Sequence, residues 1–280
     1  MERPVLSAVQ RSWLREIGLD ARMLAHFSSE PFAAPEPQRL GELLKQTSVA
    51  QVPGVQARPD SPRTPGVVSE PASGTEAEPA STRPTEVSDP AQADSLGVLE
   101  AYTEACQACG LNEVRGRIVF GEGAATGAQW MFVGEAPGGW DDSIGRPFQG
   151  RPGELLHAML RAAGIAADAP AYFTNVLKCR PMGNRSPRAD EVAACMPILR
   201  RQIRLVKPAS LVALGRVAAS ALLGGDVDLE TLRGRVHAYV DEDGRSIPLV
   251  VTHHPASLLL HGQLKAEAWR DLNLLMSLSR

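Results

Sequence analysis

The sequence predicts an α/β/α sandwich, a mainly parallel sheet of about four strands covered by helices on both faces, preceded by a disordered N-terminal extension. Two observations predict it. From about Leu96 onward, short apolar runs alternate with segments of helical period, and strands that alternate with helices imply crossover connections and parallel pairing. Before that point the composition changes, with 12 of the 22 prolines falling in residues 1–98.

In chain order, Val5 to Phe27 has helical periodicity, with Leu6, Val9, Trp13, Ile17 and Leu24 roughly on one side. This predicts an amphipathic helix within residues 1–30 that docks on the parent domain or binds a protein partner. Residues 31–97 are the expected linker. From Gln51 to Ala93 the chain is mostly Pro, Ala, Ser, Glu and Thr, too poor in large apolar groups to offset its ordering entropy. Residues 98–280 are the expected domain. Its predicted strands are Gln129 to Val133, Ala171 to Val176, Ser210 to Leu214 and Pro248 to Thr252. Its predicted helices are Gly153 to Ala163, Arg188 to Leu205, Arg216 to Leu223 and Leu264 to Leu278.

The net charge of −3 is uneven. Residues 1–98 hold 9 Lys+Arg against 13 Asp+Glu, while residues 99–280 hold 20 against 19. A near-neutral domain is not a general polyanion binder, so contact with nucleic acid requires a local patch. No secretory leader or membrane-length apolar run is present, which predicts a cytoplasmic protein.

Ligands of open parallel sheets sit beyond the carboxyl ends of the strands. The four predicted ends carry Gly134-Glu135-Ala136-Pro137-Gly138, Asn175, Gly215 and His253-His254-Pro255. A small-residue loop, an amide and a histidine thus converge on one rim. Four cysteines, Cys106, Cys109, Cys179 and Cys195, form Cys-x2-Cys, then 69 residues, then Cys-x15-Cys. A disulfide framework is not expected in the cytosol. The spacing suits a [4Fe–4S] cluster or a structural zinc and does not separate them.

Gly134-Glu135-Ala136-Pro137-Gly138 with Gly145-Arg146-Pro147-Phe148-Gln149-Gly150 resembles the first motif of family 4 uracil-DNA glycosylases. Asn175-Val176-Leu177-Lys178-Cys179-Arg180-Pro181 resembles the family's central block, His254-Pro255-Ala256 its last motif, and Trp269 with Asp271-Leu272 its closing helix. The resemblance runs from about Ala105 to the C-terminus. It implies a monofunctional, monomeric DNA-repair glycosylase that flips deoxyuridine out of single- or double-stranded DNA and hydrolyses its N-glycosidic bond. It also implies a [4Fe–4S] cluster on the four cysteines and a substrate pocket formed by Glu135, Ala136, Pro137, Phe148, Asn175 and His254.

Each role has a physical basis. Uracil presents an N3–H donor and an O4 acceptor where cytosine presents the reverse, so a fixed Asn175 amide accepts one and mismatches the other. Phe148 replaces the stacking a flipped base loses. His254 donates to O2, where charge gathers on the leaving uracil, and Pro255 sets the register that makes His253 the neighbour. A carboxylate must orient the attacking water. Related enzymes use an Asp where this chain has Ala136, so Glu135 is the first candidate and Asp141 the second. Lys178, Arg180, Arg185 and Arg188 form a basic loop expected to grip phosphates.

The last motif departs from its relatives. Ala256 stands where Ser is usual and Leu260 where Arg is usual, which removes two possible DNA contacts. With the altered Trp140-Asp141 region, Leu260 motivates an alternative, a non-catalytic iron–sulfur module that binds DNA or a polymerase. A third reading, a mononucleotide-binding domain, rests on Gly121-x-Gly123.

Overall fold

The computed structural model of the chain describes residues 5–6, 14, 28–29, 89–225 and 228–278. Most of the predicted N-terminal helix and of the linker therefore lies outside the described residues. Leu14 is helical and buried, and Val5–Leu6 pairs in parallel with Ser28–Ser29. The expected linker end at residue 97 is corrected: Asp89 already caps a 3-10 turn, Pro90–Gln92, and Ala93 is buried in the core, because this segment packs against the helix Ala189–Val206. Helix α1 (Leu96–Ala105) follows, capped by the Ser95 hydroxyl accepting from the backbone of Val98.

The sheet has six strands: β1 (Glu122–Gly123), β2 (Trp130–Gly134), β3 (Ala171–Asn175), β4 (Ser210–Leu214), β5 (Val236–Val240) and β6 (Ser246–Thr252). Their order is β1-β3-β2-β4-β6-β5. The four predicted strands are the central, mutually parallel ones. The two additional strands pair antiparallel at the edges. One is only two residues long and the other is largely exposed, so neither carries a strong apolar signal.

The remaining helices are α2 (Gly139–Ile144), α3 (Gly150–Ala162), α4 (Ala189–Val206), α5 (Arg216–Leu223), α6 (Leu229–Leu232), α7 (Pro255–Leu260) and α8 (Lys265–Ser277). Alternation along the strands divides the core. Met131, Val133, Leu211, Ala213, Leu249 and Val251 face α4 and α5 through Leu199, Ile203, Ala218 and Leu222. Trp130, Phe132, Val212, Leu214 and Val250 face α3, α7 and α8 through Leu156, Leu160, Leu258 and Leu272. Each fully buried side chain of this kind contributes roughly 1.5–3 kcal/mol relative to exposure. A third cluster joins α1 to α4 through Leu99, Leu111, Leu177 and Ile198, with Cys179 and Cys195 inside it.

The connection after β2 crosses one face and the connection after β3 crosses the other. A crevice opens where neighbouring strands diverge in this way. It lies beside the paired ends Gly134 and Asn175. Gly121-x-Gly123 has a different use. Gly123 lies in edge strand β1, where a Cβ would come within 2.0 Å of the Ala171 carbonyl oxygen, and no helix follows it.

Candidate active site

A cavity of about 400 Å3 occupies the crevice. Glu135, Ala136, Pro137, Phe148, Asn175 and His254, all expected in the pocket, line it together. Asn175 ends β3 and is 1% exposed. Its Oδ1 lies against Gly134, where a Cβ would come within 2.3 Å of that oxygen and 2.9 Å of Phe148 Cζ. The missing side chain at Gly134 is what lets the amide and the ring share the floor. Asn175 Nδ2 is buried and has no hydrogen-bond partner. Such an unpaired donor costs about 1–3 kcal/mol, and here it borders the cavity.

Phe148 adopts φ 55, in the left-handed region that a bulky residue rarely visits. Its ring centroid is 6.4 Å from that of His254 and 6.1 Å from that of Phe173, the latter edge-on. Phe173 in turn stacks on Phe132 at 5.1 Å. Asp141 holds the strained turn. Its carboxylate accepts from the backbone N–H of Gln149 at 2.7 Å and of Gly138 at 3.1 Å, and also from Phe148. Burial pushes its carboxyl up and these bonds oppose the shift. Both oxygens are engaged by amides, so Asp141 acts as a clamp between the two halves of the first motif.

His254 is the N-cap of α7, with Pro255 in the first helical turn. Its Nδ1 accepts from the backbone N–H of Ala256 at 3.2 Å. Nδ1 is thereby the acceptor, and the neutral ring carries its proton on Nε2. Burial lowers its pKa from 6.5 to about 4, so the ring is neutral at pH 7. His253 turns away from the cavity. Its Nε2 lies 3.0 Å from Glu267, in a network where Arg233 binds Glu230, Glu267 and Asp271. Glu135 is half-buried at the cavity wall. Burial raises its carboxyl, opposed by a hydrogen bond to Ser186 and the charge of Arg216.

The basic loop divides. Lys178 is completely buried, with Nζ donating to Thr174 Oγ1 at 2.6 Å and to the Asn175 carbonyl at 2.5 Å. The expectation that it grips phosphate is corrected, because its ammonium points into the interior. Arg180 lies against Gly139 and donates to Asn184 Oδ1 at 2.8 Å. Arg185 lines the cavity and forks onto Glu191 at 2.6 and 2.9 Å. Arg188 is mostly exposed, 3.0 Å from the same carboxylate. Hydrogen bonding to Arg185 holds the buried Glu191 carboxyl down at about 2.

All four cysteines are free thiols and line one small cavity between α1, α4 and the loop after β3. Cys106 ends α1, and Cys109 starts the 3-10 turn Gly110–Glu113. Arg115 Nη1 donates to Cys179 Sγ at 3.1 Å. Burial pushes the Cys179 thiol up and the Cys195 thiol to about 11, so these thiols are neutral unless a cation binds them. Among the described residues, the ligand-type trio whose donor atoms all lie within 4.8 Å is Glu230, His253 and Glu267, not any three of the sulfurs. Arg233 already supplies a cation to that trio.

Sequence reasoning missed the clamp role of Asp141, the Glu191 anchor and the wall residue Trp140, which is 69% exposed. The scarcity of aromatics, 13 in the chain, was the one signal for Trp140.

The family model of the Uracil DNA glycosylase superfamily matches residues 120–273. The chain is 39% identical over 186 residues to the type-4 uracil-DNA glycosylase of Pyrobaculum aerophilum, covering 63% of this chain and 91% of the relative. It is 36% identical over 182 residues to that of Archaeoglobus fulgidus, covering 64% and 90%. It is 39% identical over 165 residues to that of Thermotoga maritima, covering 59% and 83%.

Two outcomes follow from this geometry. Asp141→Ala removes the acceptor for the loop amides and should cost about 2–3 kcal/mol, or roughly 5–10 °C in melting temperature by calorimetry. At His254, the unfolded chain takes up a proton between pH 6.5 and about 4 while the folded chain does not. Stability therefore falls as pH drops through that window. The melting temperature of His254→Gln should depend less steeply on pH there than that of the wild type.

Proposed function

The chain belongs to the uracil DNA glycosylase superfamily, among the type-4 enzymes, and is a hydrolase that excises uracil from DNA in repair; we propose that Asn175, Phe148, His254 and Glu135 perform the excision on a flipped nucleotide. The observation that carries the assignment is the buried, unpartnered Nδ2 of Asn175 beside the Phe148 and His254 rings. An amide so deep is out of reach of a base still stacked in a duplex, so the nucleotide must swing out to meet it. Nδ2 donates to uracil O4 and Oδ1 accepts from N3–H. Cytosine would place a donor against Nδ2 and leave it unpaired, which is expensive in a buried site.

The C1′–N1 bond breaks with its electron pair passing to uracil, and negative charge collects at O2. His254 Nε2–H stabilises that charge. A neutral imidazole suits the task, since its other nitrogen is already committed to Ala256. A water oxygen bonds to C1′ and its proton passes to the Glu135 carboxylate, leaving uracil and an abasic site. The burial of Glu135 raises its basicity. Asp141, saturated by amides, is assigned a positioning role.

Arg180, Arg185 and Arg188 hold the strand backbone at the cavity mouth. Arg185 and Arg188 share the Glu191 carboxylate, and Arg188 also pairs with the exposed Asp190, so their free N–H groups rather than a net local charge would meet the phosphates. Ala256 is at the cavity wall and Leu260 is 80% exposed, so the last motif offers apolar rather than basic contact. The pocket is complete within one chain, which supports a monomer acting on single- or double-stranded DNA. No described helix is long and apolar enough to cross a membrane; we place the enzyme in the cytoplasm with the DNA it repairs.

Cys106, Cys109, Cys179 and Cys195 fit a [4Fe–4S] cluster. They line one small cavity, and four sulfurs around one space are the donor set such a cluster takes. Bound there, a cluster ties α1 and α4 to the loop after Asn175.

In single-turnover assays on a uracil-containing oligonucleotide, Asn175→Ala and His254→Ala should each lose about 10²–10³-fold or more in rate. Wild-type rates would refute the roles, and the same sample should absorb near ~400 nm if the cluster is present. The wild-type rate should also fall with acid as Glu135 protonates, beginning above the ordinary carboxylate range. Glu135→Gln should be slow and lack that acid limb; an unchanged limb would move the base elsewhere.

A further inference from the structure

Lys178 is the most unusual residue outside the reaction itself. Its side chain is 0% exposed, and no carboxylate pairs with it among the described residues. An unpaired ammonium in the interior costs several kcal/mol, so a neighbouring anion or dipole must offset it. Lys178 lines the same small cavity as Cys106, Cys109, Cys179 and Cys195. Its backbone N–H also donates to Cys195. On the other side, Nζ donates to the Asn175 carbonyl and to Thr174 Oγ1, which itself donates to the Phe120 carbonyl at 2.8 Å. Val119 N–H donates to the Lys178 carbonyl at 2.8 Å. One residue therefore touches both the cysteine cavity and the peptide of the residue that reads the base.

We propose that Lys178 is the buried counter-ion of the cysteine-held cluster and a positioning residue for Asn175, so that a loaded cluster and an ordered uracil pocket stabilise each other. The proposal rests on the [4Fe–4S] reading above. Four thiolates around the cluster leave net negative charge beside the ammonium. That charge keeps the ammonium in place, and the ammonium holds the Asn175 carbonyl and hence the direction of its amide. Coupling of this kind is reciprocal, so a ligand in the pocket must also stabilise the cluster.

Lys178→Met keeps the length of the side chain and removes its charge and donors. In the purified holoenzyme it should shift the cluster potential to more negative values, since a nearby positive charge favours the reduced state. It should also raise KM and the dissociation constant of free uracil by about tenfold, the loss expected for a hydrogen bond from a charged group, with a smaller change in kcat. The wild type gives an independent reading if the variant does not fold. Saturating free uracil should slow the loss of the absorbance near ~400 nm to an iron chelator, and Lys178→Met should abolish that protection. Uracil affinity and potential both unchanged in the variant, or no protection by uracil in the wild type, would overturn the proposal. Absence of iron and of that absorbance in the wild type would overturn the cluster reading instead.

Discussion

The pocket depends on the close approach of two strand ends. Gly134 and Asn175 are paired neighbours on parallel strands, and any side chain at Gly134 would occupy the space of the Asn175 amide and the Phe148 ring. Parallel pairing sets the two residues side by side, and the opposite courses of the following connections open the crevice above them. The other site residues are placed around that contact. Gly215 admits the His254 Cβ from the next strand end, with only 3.1 Å to where its own Cβ would lie.

Charge in this molecule is managed by saturation more than by exposure. Asp141 spends its carboxylate on backbone amides and so holds Phe148 in a conformation the chain would otherwise avoid. Glu191 takes two arginines, of which Arg185 lines the cavity. The Arg233 network occupies His253 and keeps it out of the cavity. Inside the site the Asn175 Nδ2 donor is left without a partner, and His254 commits Nδ1 to Ala256, which leaves its proton on Nε2. A site built from neutral donors suits a reaction whose leaving group is an anion, because preorganised dipoles need no reorganisation as charge develops.

The cysteine cavity extends the same low-dielectric interior. Burial pushes the Cys195 thiol up to about 11 and the Lys178 ammonium down to about 7. Lys178 lies between the end of β3 and the cysteine cavity, donating to the Asn175 carbonyl and lining the pocket of the four sulfurs.

The sequence alone determined the strand and helix order, the four central strands and the rim where the motifs meet. Those follow from local periodicity and from the rule that parallel strands present their carboxyl ends together. Asn175 and His254 were legible because they fall at those ends, whereas Phe148, in the loop between α2 and α3, was legible only through the resemblance of its motif. The edge strands were not, being short or exposed. Tertiary structure alone decided where charged side chains point. Lys178 is three residues beyond Asn175 in a loop rich in arginine, and no local pattern distinguishes it from its exposed neighbours. It turns inward because residues distant in sequence, Val119 and Cys195, hydrogen-bond its backbone and fix it in the interior, and Asp141 is committed to amides because the chain folds Gly138 and Gln149 back to it. Burial and hydrogen-bond saturation arise from contacts between remote segments, which local sequence does not encode.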